Sequence, residues 1–299
     1  MNVLVTGSSG LVGSALCAKL QSSGFRVIRL VRSRKAADSS GNSVFWDPYQ
    51  EKLDLAKLGD ISAVVHLSGA GVAASRWSRA RKDELRASRV QTTKFLCAAL
   101  ADLRQKPEVL VCASALGFYG DRGEEWLDES SSAGEGFLPS LCKEWELATQ
   151  KAANDGIRVV NLRIGLVLSQ KGGVLQRMLT PFRLGLGGKL GSGKQFMSWI
   201  VLEDLLASII YSIQEKNLAG IVNAVAPTPV TNLEFTKTLG EILQRPTFCA
   251  VPACLLHLLL GEMADELMLA SARIKPAKLL QHNFSFEYAK LQDGLKFLL

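Results

Sequence analysis

Val3-Leu4-Val5-Thr6-Gly7-Ser8-Ser9-Gly10-Leu11-Val12-Gly13 lies at the start of the chain, and its reading decides the fold. Val3 to Val5 is a short apolar run of the kind that becomes a buried parallel strand. Residues 11–20 carry a helical pattern. A strand, a glycine turn and a helix in succession form the context that a dinucleotide-binding fingerprint requires. Gly7 suits the tight turn, Gly10 lets the backbone approach a pyrophosphate, and Gly13 lets the helix lie close to the sheet. Amide N–H groups at the helix start, with the helix dipole behind them, would hold the phosphates.

The next strand predicts which dinucleotide. Residues 26–31 read as a strand ending at Arg32, where an NAD-binding domain carries Asp or Glu for the ribose 2′-hydroxyl. No acidic residue occurs before Asp38, and the stretch holds Arg29, Arg32, Arg34 and Lys35 instead. A guanidinium there suits a 2′-phosphate, which it can grip with two parallel hydrogen bonds. The expected cofactor is NADP(H).

The chain of 299 residues, 47% hydrophobic and 21% charged, has the composition of an ordinary globular protein. It starts directly on a strand, and its longest apolar runs, residues 205–210 and 255–260, are too short to cross a bilayer. The expectation is a cytoplasmic protein without membrane partners. Six cysteines with no Cys-x-x-Cys pair, beside three histidines, argue against a zinc site and a disulfide framework. The net charge of +7 is densest from Arg76 to Lys82, continuing through Arg86 and Arg89. Interleaved Asp83 and Glu84 make that stretch read as a solvated helix face, and no nucleic-acid motif accompanies it.

Strands and helices alternate up to about residue 165, which implies a parallel sheet covered by helices on both faces. Short strands are expected at residues 43–46, in the apolar run 63–71 that ends in small residues, at 109–113 and at 158–162. Leu67, Ser68 and Gly69 then lie at the carboxyl end of a strand, beside the cofactor. His66 reads as a structural imidazole. Residues 138–154 read as one helix, stopped by Asn154-Asp155-Gly156. Five glycines in residues 185–193 predict a loop. Trp199 to Asp204 reads as the opening of a helix with an acidic first turn, and Thr231-Asn232-Leu233-Glu234 as a capping box. The fold class is a Rossmann-type doubly wound α/β domain, residues 1–165, interlocked with a smaller mixed lobe, residues 166–299.

The glycine spacing Gly-x-x-Gly-x-x-Gly behind Thr6 resembles the extended short-chain dehydrogenase/reductase and sugar-epimerase superfamily. Further carriers of the resemblance are Arg76-Trp77, Ser88-Arg89, the run from Ser114 to Gly120, Trp145-Glu146, the run from Pro181 to Gly188, Arg245-Pro246 and Gly261-Glu262. Together they are similar to an atypical branch that joins an epimerase-like NADP domain to a C-terminal domain of unknown function. Its members are called NADP-dependent oxidoreductases or nucleoside-diphosphate-sugar epimerases, and some relatives are named cell-division inhibitors. The resemblance implies cofactor contacts at Gly7, Ser9, Gly10, Leu11, Val12, Arg32, Leu67, Ser68, Glu84, Arg89 and Val167. Gly13 and Gly69 join them on the physical reading.

The superfamily uses a Tyr with a Lys four residues later to move the proton of the reacting oxygen. None of the four tyrosines here, Tyr49, Tyr119, Tyr211 and Tyr288, is followed by Lys at that spacing. With Glu146 aligned to the acidic residue that closes the motif, Leu138 takes the Tyr position and Cys142 the Lys position. Three functions follow. The first is a reductase of a carbonyl or alcohol, with Ser114 and Tyr119 as the catalytic hydrogen-bonding groups. The others are a sugar-nucleotide epimerase, and a regulatory protein that binds NADP(H) without turning it over.

Overall fold

The computed structural model describes residues 1–38 and 41–299. Its centre is a sheet of eight strands: β1 (Asn2–Thr6), β2 (Arg26–Val31), β3 (Ser43–Asp47), β4 (Lys52–Leu53), β5 (Ala63–His66), β6 (Val109–Ala115), β7 (Arg158–Ile164) and β8 (Gly220–Ala224), ordered β8-β7-β6-β5-β1-β2-β3-β4. All neighbours are parallel except β3 and β4. The chain leaves β1 in one direction for β2 and β3, then returns to its other side for β5. This places a topological switch point between β1 and β5, where doubly wound sheets bind ligands at the carboxyl edge.

The continuous apolar runs in the strands follow from burial on both faces. Val3, Val5, Val27, Val65, Val111, Val160 and Leu162 pack on one face under α1 (Leu11–Ser22). Leu4, Ile28, Leu30, Val64 and Leu110 face the other way, against the long helical run over residues 79–101. That run is α2 (Arg79–Arg86), a π-helical turn (Ala87–Gln91) and α3 (Thr92–Ala101). Helix α4 (Phe137–Leu147) covers the same second face through Leu141 and Trp145.

Three departures from the sequence reading have local causes. The helix expected over residues 138–154 is two, α4 and a short turn over Gln150–Asn154. Thr149 separates them: its hydroxyl donates to the Glu146 carbonyl (2.7 Å) and accepts from Asn161 Nδ2 (3.1 Å), tightening the turn. Trp199–Val201 is a strand paired parallel with Leu166–Leu168, and the helix starts after it as α6 (Leu202–Gln214), with α5 (Gly173–Arg183) preceding both in the chain. The run Trp-Ile-Val is fully buried and has the bulky and β-branched side chains that favour a pleated surface. Third, the sheet does not end near residue 165: β8 pairs with β7, and α6 packs beside α1.

The remaining C-terminal elements form a third apolar cluster, in which Trp199, Phe235, Leu239 and Leu295 meet α5 through Leu175, Leu179 and Phe182. Helix α7 (Asn232–Leu243) starts with the expected capping box: Thr231 Oγ1 accepts from the Glu234 N–H (3.2 Å), and the Glu234 carboxylate accepts from the Thr231 N–H (2.7 Å). Helix α8 (Ala253–Leu260) and helix α9 (Leu291–Leu298) follow. Among the described residues no helix is long and apolar enough to cross a membrane.

Candidate nucleotide site

The turn after β1 is built by exclusion. Gly7 has φ +66°, and a Cβ there would lie 2.6 Å from the Leu67 carbonyl oxygen. A Cβ at Gly13 would lie 2.1 Å from the Gly7 carbonyl oxygen. Neither position accepts a side chain without moving backbone. Gly10, in contrast, faces outward and its N–H donates to Gly7 O (3.0 Å). The Ser14 N–H donates to Gly10 O (2.9 Å), so the amides of Leu11, Val12 and Gly13 have no acceptor within α1. No acidic residue stands in the first turn of α1. Exposed Ser9 and Gly10 therefore lead into a positive helix end with open backbone donors, the arrangement that suits a diphosphate.

The other cofactor candidates gather around this turn to different degrees. Leu67 and Ser68 are half-buried and Gly69 is exposed, directly after β5 and against Gly7. Val167 comes from far along the chain: a Cβ on Gly173 would lie 3.5 Å from both Leu11 Cδ2 and the Val167 carbonyl oxygen. Arg32 is exposed two residues beyond Leu30, which stands in register with Thr6. Among the described residues it has no hydrogen bond or ion pair, whereas Arg34 stacks over Phe45 at 4.2 Å. Arg32 is thus the guanidinium at the strand end left open to a ligand.

Arg89 is brought in by the π-helical turn, which rotates two neighbouring residues towards the end of β5. Ser88 Oγ accepts from the Ala70 N–H (3.1 Å), and Arg89 Nη2 donates to the Ala70 carbonyl (2.9 Å). The Arg89 guanidinium also lies over Trp145, 5.2 Å from the ring centroid, and next to Gly69. Glu84 stands further out; its exposed carboxylate pairs with Arg81 Nη1 at 2.5 Å. A π-helical turn has no sequence signature of its own, so this placement is visible only in three dimensions.

His66 holds the floor. It is fully buried, with Nδ1 2.7 Å from Thr6 Oγ1 and Nε2 3.0 Å from Thr93 Oγ1. Burial lowers its pKa to about 4, so the imidazole is neutral at physiological pH. This is the structural role read from the sequence.

At the carboxyl end of β6 and β7 lies a buried polar network. Ser114 donates to Glu146 Oε1 (2.7 Å), and Arg163 grips the same carboxylate with Nε (2.8 Å) and Nη2 (2.9 Å). Arg163 Nη1 donates to Tyr119 Oη (3.0 Å), which also lies 2.8 Å from Asn223 Oδ1 and 2.9 Å from the Asp128 carbonyl. Tyr119 is 0% exposed. Tyr119, expected with Ser114 as a catalytic hydrogen-bonding group, has no open surface and three polar partners, and in this arrangement its phenol braces the scaffold. Burial raises its pKa, and the Arg163 charge offsets part of that rise. Ser114 keeps 3% exposure at the carboxyl end of β6. Leu138 and Cys142, one turn apart on α4, are both buried, and burial pushes the Cys142 thiol up to about 12. Lys143 points to solvent. Glu146 and Arg163 do not stand out as a pair in the sequence, because they lie 17 residues apart on different elements, a helix and a strand.

Residues 3–224 match the profile of the NAD dependent epimerase/dehydratase family. The chain belongs to that family. Residues 251–298 match a domain of unknown function, DUF1731. Among curated members, the epimerase family protein Mb2239 of Mycobacterium bovis is 43% identical over 98% of this chain and 96% of its own length. The crystal structure of human epimerase family protein SDR39U1 (isoform 2) with NADPH superposes with a TM-score of 0.92 at 30% identity, covering 100% of this chain and 99% of that one. A nucleoside-diphosphate sugar epimerase from Corynebacterium glutamicum gives a TM-score of 0.82 at 37% identity, over 100% of this chain and 58% of that one. This epimerase/dehydratase chain thus pairs the family's Rossmann sheet with an apolar Leu138/Cys142 step.

Proposed function

We propose that this chain is an NADP(H)-dependent oxidoreductase acting on a small carbonyl or alcohol by an atypical, tyrosine-free route. One observation carries the reading: the open amides at the start of α1 lie at the carboxyl edge of the sheet, where Arg32, exposed and without a hydrogen bond or ion pair among the described residues, directly follows β2. The solved relative that holds NADPH supports the same cofactor. When bound, the nicotinamide supplies hydride chemistry. In this reading Gly7 to Gly13 hold the diphosphate and Arg32 the 2′-phosphate. Leu67, Ser68, Gly69 and Val167 flank the cofactor, with Arg89 bracing the loop from behind. Ser114, anchored by Glu146, is the hydroxyl nearest to a substrate oxygen. Residues 166–299 act as the lobe that closes the cleft, and six free thiols fit a reducing, cytoplasmic setting.

The test is a fluorescence titration with NADPH and NADH. A preference for NADPH of about tenfold, roughly 1.4 kcal/mol, is expected, and Arg32→Glu should abolish it. Equal affinities in the unsubstituted protein would remove Arg32 from the site.

A second reading is favoured by the sealed Tyr119 and by the Ser114 hydroxyl being given to Glu146. In it NADP(H) is a structural or sensory ligand, and cofactor binds without being consumed across a panel of carbonyl substrates. The same features weigh more heavily against sugar-nucleotide epimerisation, which needs a base as well as hydride removal.

A further inference from the structure

Outside the nucleotide turn, a groove of about 510 Å³ runs between α2 and the start of α4. Trp77 and Phe137 form its apolar side, with ring centroids 5.1 Å apart in an edge-to-face arrangement. Arg79, Lys82, Arg86 and Asp83 complete the lining. Its volume falls in the range that holds compact organic ligands.

The charges in the groove are unequal in how far they are already used. Lys82 Nζ pairs with Glu262 (2.5 Å) and lies 5.0 Å from the Phe137 ring centroid. Arg86 pairs with Glu144 through Nε (2.9 Å) and Nη2 (3.2 Å). Each cation still has N–H donors beyond those its carboxylate accepts. Arg79 has no hydrogen bond or ion pair among the described residues, and it is the first residue of α2, where the helix dipole adds positive potential. Asp83 opposes an anion from one turn further on. The groove therefore combines two aromatic rings, that of Phe137 already under the Lys82 ammonium, with one guanidinium free among the described residues and two partly used cations.

We propose that this groove is a second ligand site, separate from the nucleotide turn. It takes an organic anion whose carboxylate, sulfonate or phosphate meets Arg79 and Lys82 while a flat apolar body lies against Trp77 and Phe137. Neither half suffices: the cations alone are solvated surface charges, and the rings alone form a small apolar patch. Their juxtaposition at one groove selects ligands that carry both. The site does not depend on the cofactor reading, because none of its lining residues belongs to the glycine turn or to the end of β2.

The probe is 1-anilinonaphthalene-8-sulfonate, titrated by fluorescence into the full chain in saturating NADPH, with uncharged N-phenyl-1-naphthylamine as the comparison. The expected result is saturable binding of the sulfonate that persists with NADPH and exceeds that of the uncharged analogue. Arg79→Glu, on an exposed unpartnered side chain, should weaken it by about tenfold, and Trp77→Ala should do likewise. Loss of the signal on adding NADPH would overturn the proposal by placing the probe in the nucleotide site. Equal binding of the two probes, or indifference to Arg79→Glu, would overturn it by placing the probe on other apolar surface. Sedimentation showing a dimer whose formation quenches Trp77 and excludes the probe would assign the groove to a second copy of the chain instead.

Discussion

Glu266 caps a helix that is distant from it in sequence: its two carboxylate oxygens accept from the N–H groups of Phe137 (2.9 Å) and Leu138 (2.7 Å) at the start of α4. Gly136, the residue before that helix, supplies no side chain, so the C-terminal part of the chain provides the cap. A carboxylate bonded to two amides at a positive helix end is a charge-assisted arrangement. Glu266→Ala is expected to lower stability by about 1–2 kcal/mol, with Glu266→Gln intermediate, measured by urea unfolding. An unchanged midpoint would show that α4 does not need this contact.

Gly13→Ala tests the close packing of α1 on its turn. With 2.1 Å between the added Cβ and the Gly7 carbonyl oxygen, the helix must move away. A loss of at least about 2 kcal/mol in stability is expected, together with weakened NADPH binding, since the amide donors move with the helix. Gly10→Ala, whose Cβ would meet nothing nearer than 3.4 Å, should leave stability almost intact while weakening the cofactor. If both variants bind NADPH normally, the turn is not the nucleotide site.

His66 makes stability depend on pH with a predictable sign. Its folded pKa of about 4 lies below the unfolded value near 6.5, so the unfolded chain binds the extra proton between them. The contribution of the neutral imidazole is complete above about pH 6.5 and is lost progressively as pH falls towards 4. The cost is about 3 kcal/mol. Unfolding midpoints measured across that window should show a steeper fall for the unsubstituted protein than for His66→Gln. Parallel curves would assign the acid sensitivity elsewhere.

Ser114→Ala and Tyr119→Phe separate a substrate contact from a scaffold contact. Tyr119→Phe removes a buried hydroxyl bonded to Arg163 and Asn223 and should cost about 1–3 kcal/mol while leaving NADPH affinity unchanged. Ser114→Ala should leave NADPH affinity intact and slow any carbonyl reduction found. Turnover indifferent to Ser114→Ala would remove that hydroxyl from the chemistry.

Thiol reactivity gives a direct check on the buried face of α4. Cys254 is exposed and Cys249 half-buried, whereas Cys17, Cys97, Cys112 and Cys142 are buried. Burial pushes Cys97 and Cys142 up to about 12. An aromatic disulfide reagent should therefore modify Cys254 quickly, Cys249 more slowly and the other four only on unfolding. Rapid reaction of Cys142 would mean that the position facing the expected acid/base site is open to solvent.

The strand, glycine turn and helix at the start of the chain were legible from sequence because each rests on a local rule. Val3 to Val5 could only be buried, and Gly7 and Gly13 stand where any Cβ would strike backbone. The capping box at Thr231 and Glu234 was equally local. Tertiary structure alone decided which polar groups meet at the carboxyl end of β6 and β7. The meeting of Ser114 and Arg163 on the Glu146 carboxylate, the sealing of Tyr119, the π-helical turn that delivers Arg89, and the reach of Glu266 to α4 all join residues from separate elements. Hydrogen bonds between distant segments leave no periodicity in the chain that makes them, so only the packed fold reveals which polar groups are spent on structure and which, like Arg32 and Arg79, stay exposed without a hydrogen bond or ion pair among the described residues.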